Sequence, residues 1–196
     1  MYKKYFKRMI DFSIALFSMP FVILIILVMA PIIYINDPGP IFYNANRRGK
    51  DGKVFKMFKL RSMYVNAPDI RNADGSTYNS DNDSRITKVG SIMRKTSIDE
   101  IPQIINVLIG DMSLIGPRPI LSTQPYNELS DLAKKRLGIR PGITGYAQAY
   151  YRNSIGEEEK FKNDCYYMEN VSFSLDLKIL LKTIISVIKK DNIYVE

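Results

Sequence analysis

The sequence predicts an α+β fold: a small cytoplasmic domain of helices and a β-hairpin, with an N-terminal re-entrant membrane helix, arranged as helix, break and helix, and interfacial amphipathic helices. Three observations predict it. An uncharged run of 24 residues, Phe12 to Ile35, follows a basic N-terminus. Helical and strand patterns then follow each other without regular alternation. The last helical pattern, 173–190, is basic on one side and apolar on the other. We therefore divide the chain into the membrane helix, 1–36, and the cytoplasmic domain, 37–196, which includes 173–190.

The N-terminal hydrophobic run is long enough to form a membrane helix. A signal peptide carries an apolar core of about 7–15 residues and a cleavage site of small residues. This run is longer and has no such site, so we expect it to be retained. A straight helix of this length measures about 36 Å, more than the hydrocarbon core of about 30 Å. A single transmembrane span is therefore the simplest interpretation of the length.

Two features favour a re-entrant helix instead. Pro20 has no N–H and crowds the carbonyl of Leu16, which predicts a bend or break, with Ser18 available to bond the freed carbonyl. Basic residues flank the run on both sides, and the positive-inside rule then assigns both flanks to the cytoplasm. These residues are Lys3, Lys4, Lys7 and Arg8 before the run and Arg47, Arg48 and Lys50 after it. The residues alone leave a straight span and a re-entrant helix both open.

The stretch between the two hydrophobic ends predicts one hairpin, one long loop and three helices. Residues 41–44 and 54–63 are rich in aromatic side chains and flank an Asp-Gly turn signal at 51–52. Residues 66–85 are polar and predict a long loop. Helical patterns follow at 88–94, 101–109 and 131–137, with Gly110 and Gly138 as stop signals for the last two.

The C-terminal helical pattern separates lysines from apolar residues. At about 100° per residue, the lysines fall within one arc and the aliphatic residues on the opposite side. The lysines are Lys178, Lys182 and Lys189, and the aliphatic residues are Leu180, Leu181, Ile184, Val187 and Ile188. Such a helix is suited to an anionic membrane surface. A helix packed on the soluble core would show the same pattern, so both interpretations stay open.

The composition excludes several kinds of chemistry. The 196 residues contain no histidine and one cysteine, which rules out histidine triads, HExxH zinc sites, thiol-imidazole pairs and disulfide frameworks. Proton transfer must therefore fall to Asp, Glu, Lys, Tyr or water. A net charge of +8 favours an anionic partner, which could be nucleic acid, anionic lipid or a phosphorylated substrate. The single Cys165 has no partner thiol and is expected in the core.

Two adjacent carboxylates, Asp99 and Glu100, stand where the second helical pattern begins. Backbone N–H groups and the helix dipole stabilise anions there, so a carboxylate nucleophile would stay ionised beside a phosphate. Ser97 and Glu100 also fit a capping box, in which the glutamate only closes the helix end. Pro102 opposes that alternative, because Ser97 as N-cap would place the proline beyond the first four helical positions.

Basic residues in stiff or alternating segments are candidates for phosphate binding. Arg118 lies between Pro117 and Pro119, which restrict its backbone and present its guanidinium with little entropy to lose. A proline-rich turn with an incidental arginine is the alternative. Arg140 precedes a Pro-Gly pair in type II turn positions and could belong to a turn alone. Lys59, with Arg61, could be the wet face of a strand, and Arg94, with Lys95, a solvated patch.

Four motifs together are far more specific than any one of them. They are Lys59-Leu-Arg-Ser-Met63, Thr96-Ser-Ile-Asp-Glu-Ile-Pro-Gln103, Asn106-Val-Leu-Ile-Gly-Asp-Met-Ser-Leu-Ile-Gly-Pro-Arg-Pro119 and Arg140-Pro-Gly-Ile-Thr-Gly-Tyr-Ala-Gln148. Their order resembles the bacterial sugar transferases, the monotopic phosphoglycosyl transferases, over almost the whole chain. The chain looks like the minimal catalytic form, without extra membrane spans. The family has a Ser-Pro pair at the break of its re-entrant helix, whereas here Met19 separates Ser18 from Pro20, and Leu60 stands where Phe is common.

The resemblance implies a reaction and a place for it. It implies transfer of a sugar-1-phosphate from a UDP-sugar to undecaprenyl phosphate with release of UMP, at the cytoplasmic face of the inner membrane. This reaction opens the synthesis of a polysaccharide or glycoprotein glycan, and downstream glycosyltransferases could act next. In this hypothesis Asp99 forms a covalent phosphosugar, Mg²⁺ binds at Asp99 and the diphosphate, and Glu100 orients the metal or a proton. The expected phosphate-binding residues are Lys59, Arg94 and Arg118, and the expected site-shaping residues are Pro117, Pro119 and Arg140.

Two other classes of protein fit parts of the sequence. In a non-catalytic membrane-surface module, Asp99 and Glu100 would cap a helix and the positive charge would hold anionic lipid. The uncharged N-terminal run disfavours a nucleic-acid-binding protein, so no nucleic-acid partner is expected. Release of UMP separates the enzyme from both alternatives. No residue pattern identifies which sugar the donor carries.

Overall fold

The computed structural model describes residues 1–70, 78, 80, 83–152 and 154–189 and shows the predicted mixture of helices and sheet. The α-helices are α1 Lys7–Asn36, α2 Lys88–Thr96, α3 Gln103–Ile109, α4 Asp131–Arg136, α5 Tyr146–Tyr150, α6 Glu157–Glu169 and α7 Phe173–Lys189. The strands are β1 Ala45–Arg48, β2 Val54–Met57, β3 Ser113–Ile115, β4 Ile120–Leu121 and β5 Gly142–Thr144. The sequence predicts α2, α3, α4 and α7 to within a few residues, and it misses α5, α6 and the strands after β2.

The N-terminal run forms one continuous helix, so the break predicted at Pro20 is wrong. Every residue of α1 is helical, although Pro20 and Pro31 both lie inside it. The Ser18 hydroxyl donates to the carbonyl of Ile14 at 2.8 Å and not to that of Leu16. A single proline removes one hydrogen bond from the ladder, and the turns on either side keep theirs, so the helix can continue through it.

Helix α1 lies along the rest of the chain on one face. Its buried residues are Asp11, Ala15, Val22 and Ile33, whose spacing places them on a single side. Ala15 packs in a core cluster with Val107 and Met112, and Ile33 packs in another with Leu60 and Met93. The other sides expose large apolar residues, among them Phe17, Phe21, Leu27 and Ile35. Within the described residues, the helical stretch 2–36 is the one long and apolar enough to cross a membrane.

The predicted hairpin is present, with its first strand later than expected. Strand β1 occupies 45–48 rather than 41–44 and pairs antiparallel with both β2 and β4. The turn 50–52 places Asp51 in the left-handed region with φ of 55°. Strand β1 is the central strand of this three-stranded sheet and is hydrogen-bonded along both edges. These hydrogen bonds stabilise a strand of mostly polar residues, whereas the prediction had selected the preceding aromatic residues. A parallel pair, β3 and β5, forms the second sheet.

Helix α7 packs on the rest of the domain and also exposes an apolar side, so it has features of both alternatives, the core helix and the membrane-surface helix. It packs on the domain through Asp176, Ile179 and Ser186, which are buried. Asp176 accepts hydrogen bonds from the hydroxyls of Tyr2 and Tyr167, each at 2.6 Å. Its aliphatic residues face outward; the exposed ones are Leu177, Leu180, Leu181, Ile184 and Ile185. The helix is therefore docked on the domain by its more polar side and leaves its apolar side uncovered. Lys190 lies outside the described residues.

The predicted loop 66–85 is described only in part. Residues 71–77, 79, 81 and 82, which carry its Asp-Gly signal, lie outside the described residues. Near its end, Arg85 Nε donates to Asp83 Oδ1 at 2.9 Å, and Arg85 also bonds the carbonyl of Pro68 at 3.1 Å. These contacts join the two described ends of the segment.

Candidate active site

Asp99 and Glu100 lie in a tight turn between two helices. Helix α2 ends at Thr96, Ser97 adopts a left-handed conformation with φ of 57°, and a 3₁₀ turn spans Ile98–Glu100. The carboxylates therefore lie in a 3₁₀ turn that leads through Ile101 and Pro102 into α3, whose α-helical residues start at Gln103, later than predicted. Ser97 makes no capping hydrogen bond with its side chain, so the alternative of a capping box is also wrong.

Lys59 supplies the charge that faces Asp99. Its Nζ lies 2.8 Å from Asp99 Oδ2, and the Asp99 side chain is only 2% exposed. No described group gives this buried oxygen a hydrogen bond of good geometry. The backbone N–H of Leu60 donates to the Asp99 carbonyl at 2.9 Å, which holds the two segments together. The ammonium of Lys59 compensates this oxygen as an ion pair, and a buried carboxylate held by a single cation is a candidate reactive group.

Glu100 shares the same lysine and stays ionised. Its Oε1 lies 3.3 Å from Lys59 Nζ and 3.8 Å from an Arg118 nitrogen. Burial opposes ionisation of the carboxyl, but the charges of Lys59, Arg118 and Arg94 lower the pKa of Glu100 from 4.5 to about 2. At neutral pH this group is an anion that attracts cations and has no proton to donate.

The three basic residues predicted to bind phosphate converge on this carboxylate pair. Lys59 is the most buried of the three, Arg94 is tied by a 3.1 Å hydrogen bond from its Nε to Ser62 Oγ, and Arg118 is 59% exposed at the mouth of the site. Charge-assisted bonds from such groups suit an anion with several oxygens. Arg61 behaves differently from Lys59 and is not on a wet strand face, because it is buried and paired with Asp37 at the end of α1.

The segment that carries Arg118 is held by backbone bonds from both sides. Gly142 N donates to the Pro117 carbonyl at 2.9 Å, and Arg136 donates to the Arg118 carbonyl at 2.7 Å. Gly142 starts strand β5 and does not take the positive φ of a type II turn, so that turn prediction is wrong. A Cβ on Gly142 would lie 2.1 Å from Gly116 N, which requires glycine at this close approach of the two chain segments.

Arg136 is the main support that the sequence did not reveal. Its side chain is 2% exposed, and its Nε donates to Asp164 Oδ2 at 2.8 Å. The same guanidinium reaches the Arg118 carbonyl, so a buried ion pair between α4 and α6 supports the segment that carries Arg118. In sequence, Arg136 stands among lysines at a helix end, a setting typical of an exposed residue.

Arg140, predicted to shape the site, lies at the far end of α3. Its Nε donates to the Gly110 carbonyl at 2.8 Å, next to Arg8, which donates to the carbonyls of Val107 and Leu108. Both arginines therefore satisfy carbonyls at the C-terminus of α3, the end opposite the carboxylates. Any influence of Arg140 on the site acts through the position of this helix.

A small pocket lies next to Arg118. It is lined by Arg47, Met57, Gln103, Arg118, Pro119, Gly142, Ile143 and Gln148. Arg118 belongs both to this pocket and to the ion-pair cluster with Glu100. Gln103 and Gln148 are the polar groups that the sequence prediction missed. A signal was available in each case, because both end motifs on which the family resemblance rests.

The donor set at the site fits a magnesium ion only when a ligand completes it. No group of three or more acidic, cysteine or histidine side chains suited to a metal occurs among the described residues. Asp99 and Glu100 supply two neighbouring carboxylates, both of which are paired with Lys59 in this structure. Mg²⁺ is typically held by one or two carboxylates together with substrate phosphates and water. The residues therefore fit Mg²⁺ bound with a diphosphate.

Comparison with known proteins points to one family. The family model for bacterial sugar transferases matches residues 2–190. The chain is 40% identical over 188 residues to the uncharacterized sugar transferase EpsL of Bacillus subtilis (strain 168), a match that covers 95% of this chain and 89% of EpsL.

Two longer relatives have names that describe a reaction. The chain is 37% identical over 185 residues to the UDP-N-acetylgalactosamine-undecaprenyl-phosphate N-acetylgalactosaminephosphotransferase of Aeromonas hydrophila, covering 92% of this chain and 43% of that protein. It is 37% identical over 175 residues to the UDP-glucose:undecaprenyl-phosphate glucose-1-phosphate transferase of Escherichia coli (strain K12), covering 82% and 37%. The chain thus spans less than half the length of these two relatives.

Proposed function

Because the chain belongs to the bacterial sugar transferase family, we propose that it transfers a sugar-1-phosphate from a UDP-sugar to undecaprenyl phosphate and releases UMP. This would be the first membrane step in the synthesis of a polysaccharide or glycoprotein glycan. One observation carries the proposal: a buried carboxylate, Asp99, lies 2.8 Å from Lys59, and Arg118 and Arg94 lie close enough to lower the pKa of the adjacent Glu100. The names of the relatives from A. hydrophila and E. coli support the donor and acceptor classes.

In the first step, an oxygen of Asp99 attacks the β-phosphorus of the donor. The bond from that phosphorus to the bridging oxygen breaks, and UMP leaves with the bond's electron pair. In the second step, a phosphate oxygen of undecaprenyl phosphate attacks the same phosphorus and regenerates the carboxylate. Neither step needs an imidazole, which agrees with a chain that contains no histidine. The burial of Asp99 and its position beside the ammonium of Lys59 support its role as the nucleophile.

The cations have separate parts in this mechanism. Lys59 holds Asp99 in the resting site and can turn its ammonium to the donor phosphates as they enter. Arg118 and Arg94 would neutralise charge on the transferred phosphate, Arg118 from the exposed mouth and Arg94 from α2. Glu100 is anionic at neutral pH, which favours a role in holding a cation over a role as general acid. When bound, Mg²⁺ would neutralise diphosphate charge, with Asp99 and Glu100 as its nearest protein ligands.

We further propose that the chain is monotopic, with both ends of α1 at the cytoplasmic face of the inner membrane. The 23 residues from Asp11 to Ile33 span about 33 Å of helix, close to the thickness of a bilayer core. A crossing helix would place those two residues on opposite sides of the membrane. Here Asp11 accepts a bond from Ser113, and Ile33 packs against Leu60, so both ends contact the same domain.

The apolar surfaces support a membrane location. Helices α1 and α7 both leave large aliphatic or aromatic residues uncovered. They meet where the rings of Tyr2 and Phe173 lie 6.0 Å apart and where Lys7 pairs with Asp176. Exposed apolar area of this extent marks a membrane or protein interface. In this arrangement the active site would lie at the level of the lipid headgroups, where the acceptor phosphate is found.

The topology can be tested with reporters on the full chain. A fluorescent protein that is active only in the cytoplasm is fused to the N-terminus in one fusion protein and to the C-terminus in another. We expect both fusions to fluoresce, because both ends of α1 contact the cytoplasmic domain. Periplasmic alkaline phosphatase at the same positions should be inactive. An active phosphatase at the N-terminus with a fluorescent C-terminus would establish a transmembrane α1 and contradict the proposal.

The activity is tested by release of UMP from a panel of UDP-sugars. The purified full chain is assayed in detergent with Mg²⁺, with and without undecaprenyl phosphate. At least one donor should yield UMP continuously with the acceptor and about one equivalent per enzyme without it, and a chelator should suppress both. If no donor yields UMP under any of these conditions, the chain is better described as a non-catalytic membrane-surface module.

A further inference from the structure

The segment that carries Lys59 lies between the chain that follows α1 and the turn that carries Asp99. On one side, the backbone N–H of Tyr43 donates to the Lys59 carbonyl at 2.8 Å. Phe42 forms an antiparallel bridge with Leu60 on the same side. On the other side, Leu60 N donates to the Asp99 carbonyl at 2.9 Å. The position of the Lys59 ammonium, 2.8 Å from Asp99 Oδ2, therefore depends on the chain that follows α1.

Arg61 binds this segment to the residue at which α1 ends. Its guanidinium pairs with the Asp37 carboxylate and also donates to the Asp37 carbonyl. Its Nε donates to the Pro40 carbonyl at 2.5 Å, and its backbone N–H donates to the Ile41 carbonyl at 2.8 Å. A planar guanidinium can satisfy a carboxylate and two carbonyls together, whereas an ammonium on a flexible stem cannot hold the same geometry. Arg61 therefore fixes the end of α1 relative to Lys59, two residues away.

The same end of α1 also contacts a second element of the site. Asn36 Oδ1 accepts a hydrogen bond from Val89 N, in the first turn of α2, at 3.2 Å. Helix α2 carries Arg94, which lies close enough to lower the pKa of Glu100. One turn earlier in α1, Ile33 packs in a core cluster with Leu60. The C-terminal end of α1 is thus joined to two of the elements that supply cations to the site.

We propose that Arg61 is a positioning residue, which binds Asp37 and thereby uses the C-terminal end of α1 to hold Lys59 against Asp99. The N-terminal helix is then part of the support of the active site as well as a membrane anchor. Arg61 is buried and bonded to protein groups, so it acts through Lys59 and not on the donor itself. The inference deepens the proposed function and rests on it for the role of Lys59 in binding donor phosphates.

The position of Lys59 can be measured without any substrate. In the wild-type chain its ammonium is paired with Asp99 and Glu100 and its side chain is 17% exposed, so it should react slowly with an acylating reagent. Lys50, whose side chain is 46% exposed, gives the reactivity of an exposed lysine in the same sample. The full chain is labelled in detergent, digested and analysed by mass spectrometry. We expect Arg61→Met to raise the acylation rate of Lys59 severalfold relative to Lys50.

Lys7→Met is the matched control at the other end of α1. Lys7 pairs with Asp176 of α7 at 2.7 Å, and both side chains are largely buried. The substitution removes a cation that holds α1 on the domain, as Arg61→Met does, but at the end opposite Asp37. Lys59 should therefore keep its wild-type reactivity. Equal increases in Lys7→Met and Arg61→Met would show a general loosening of the helix and overturn the inference.

Release of UMP in a single turnover, without acceptor, is the second readout. A displacement of about 1 Å at a catalytic group can lower a rate by about 10²-fold. We expect Arg61→Met to slow this step by about 10- to 100-fold and Lys7→Met to leave it unchanged. Arg61→Lys keeps a charge opposite Asp37 but loses the fork of donors, so its rate should lie between those of the wild type and Arg61→Met.

A milder variant keeps the test decisive if Arg61→Met does not fold. Asp37→Asn removes the charge that faces Arg61 and keeps the bonds to the carbonyls of residues 37 and 40, so Lys59 should become more reactive by a smaller factor. A folded Arg61→Met or Asp37→Asn protein in which Lys59 stays as protected as in the wild type overturns the inference. If Lys59 becomes reactive as expected but the wild-type chain releases no UMP from any donor, the positioning of Lys59 stands and the proposed function is rejected.

Discussion

Asp99→Asn is expected to abolish both UMP release and formation of the covalent intermediate. The substitution keeps the size of a side chain that is 2% exposed, so packing is preserved while the nucleophilic oxygen is lost. Removal of a catalytic nucleophile typically lowers kcat by about 10³-fold or more. The wild-type chain incubated with donor and no acceptor should gain the mass of a sugar phosphate on the peptide that contains residue 99, and the variant should not.

Two further variants make this result specific. Asp51→Asn applies the same change to an exposed aspartate in a left-handed turn, where asparagine is well tolerated, and should retain wild-type turnover. Asp99→Ala guards against residual activity from conversion of the asparagine back to aspartate. Near-normal turnover in Asp99→Ala would exclude a covalent mechanism at this residue, and an adduct on another peptide would assign the nucleophile elsewhere.

Arg136→Met is expected to produce the largest loss of stability. The substitution leaves Asp164 buried without its counter-ion and removes the bond to the Arg118 carbonyl. Breaking one side of a buried ion pair typically costs about 3–5 kcal/mol. For a chain of this size that loss corresponds to a fall in Tm of roughly 6–20 °C. Circular dichroism of the detergent-solubilised protein during heating measures it.

The neighbouring lysine provides the control for this prediction. Lys135 pairs with Glu169 at 2.6 Å on the same two helices, but both side chains are about half exposed. Lys135→Met should therefore lower stability by less than about 1 kcal/mol. The double variant Arg136→Met with Asp164→Leu should recover much of the loss, because the uncompensated charge is gone. Equal effects of Arg136→Met and Lys135→Met would show that burial of the Arg136 pair contributes little.

The same arginine connects stability with the site. Because Arg136 donates to the backbone of Arg118, Arg136→Met should also weaken donor binding. The double variant with Asp164→Leu should regain stability but still bind the donor weakly, because it also lacks this hydrogen bond. A double variant with full donor affinity would show that Arg118 keeps its position without this bond. Arg136 is therefore a positioning residue in our interpretation, and it does not contact the phosphate itself.

Much of the candidate site could be predicted from motifs, but not its internal geometry. The four motifs contain Asp99, Glu100, Lys59 and Arg118, and Arg94 was selected because it precedes the acidic pair; the structure brings all five together. The expected source of the charge opposite Asp99 was the first turn of a helix. It is instead Lys59, because the turn ends before α3 begins. No local sequence pattern predicts that Lys59 lies close to Glu100, because the two residues are 41 positions apart.

Local periodicity explains which elements were predicted correctly. The hairpin, α2, α3, α4 and α7 each have a turn signal, a stop residue or an apolar stripe within a few residues. Strands β3 and β5 have three residues each, and the parallel pairing that stabilises them joins segments 29 positions apart, as in the pair Ser113 and Gly142. Helix α6 begins with three glutamates and has mixed polarity throughout, so no apolar stripe marks it.

The sequence by itself determines local features. These are an uncharged run that forms a helix and is buried away from water, a basic net charge, and motifs that assign the chain to a family. The folded chain adds relations between distant segments. It places both ends of α1 on one domain, turns the apolar side of α7 outward and brings Lys59 against Asp99. These relations depend on long-range packing and hydrogen bonds, whose free energy appears only after the intervening chain has been ordered.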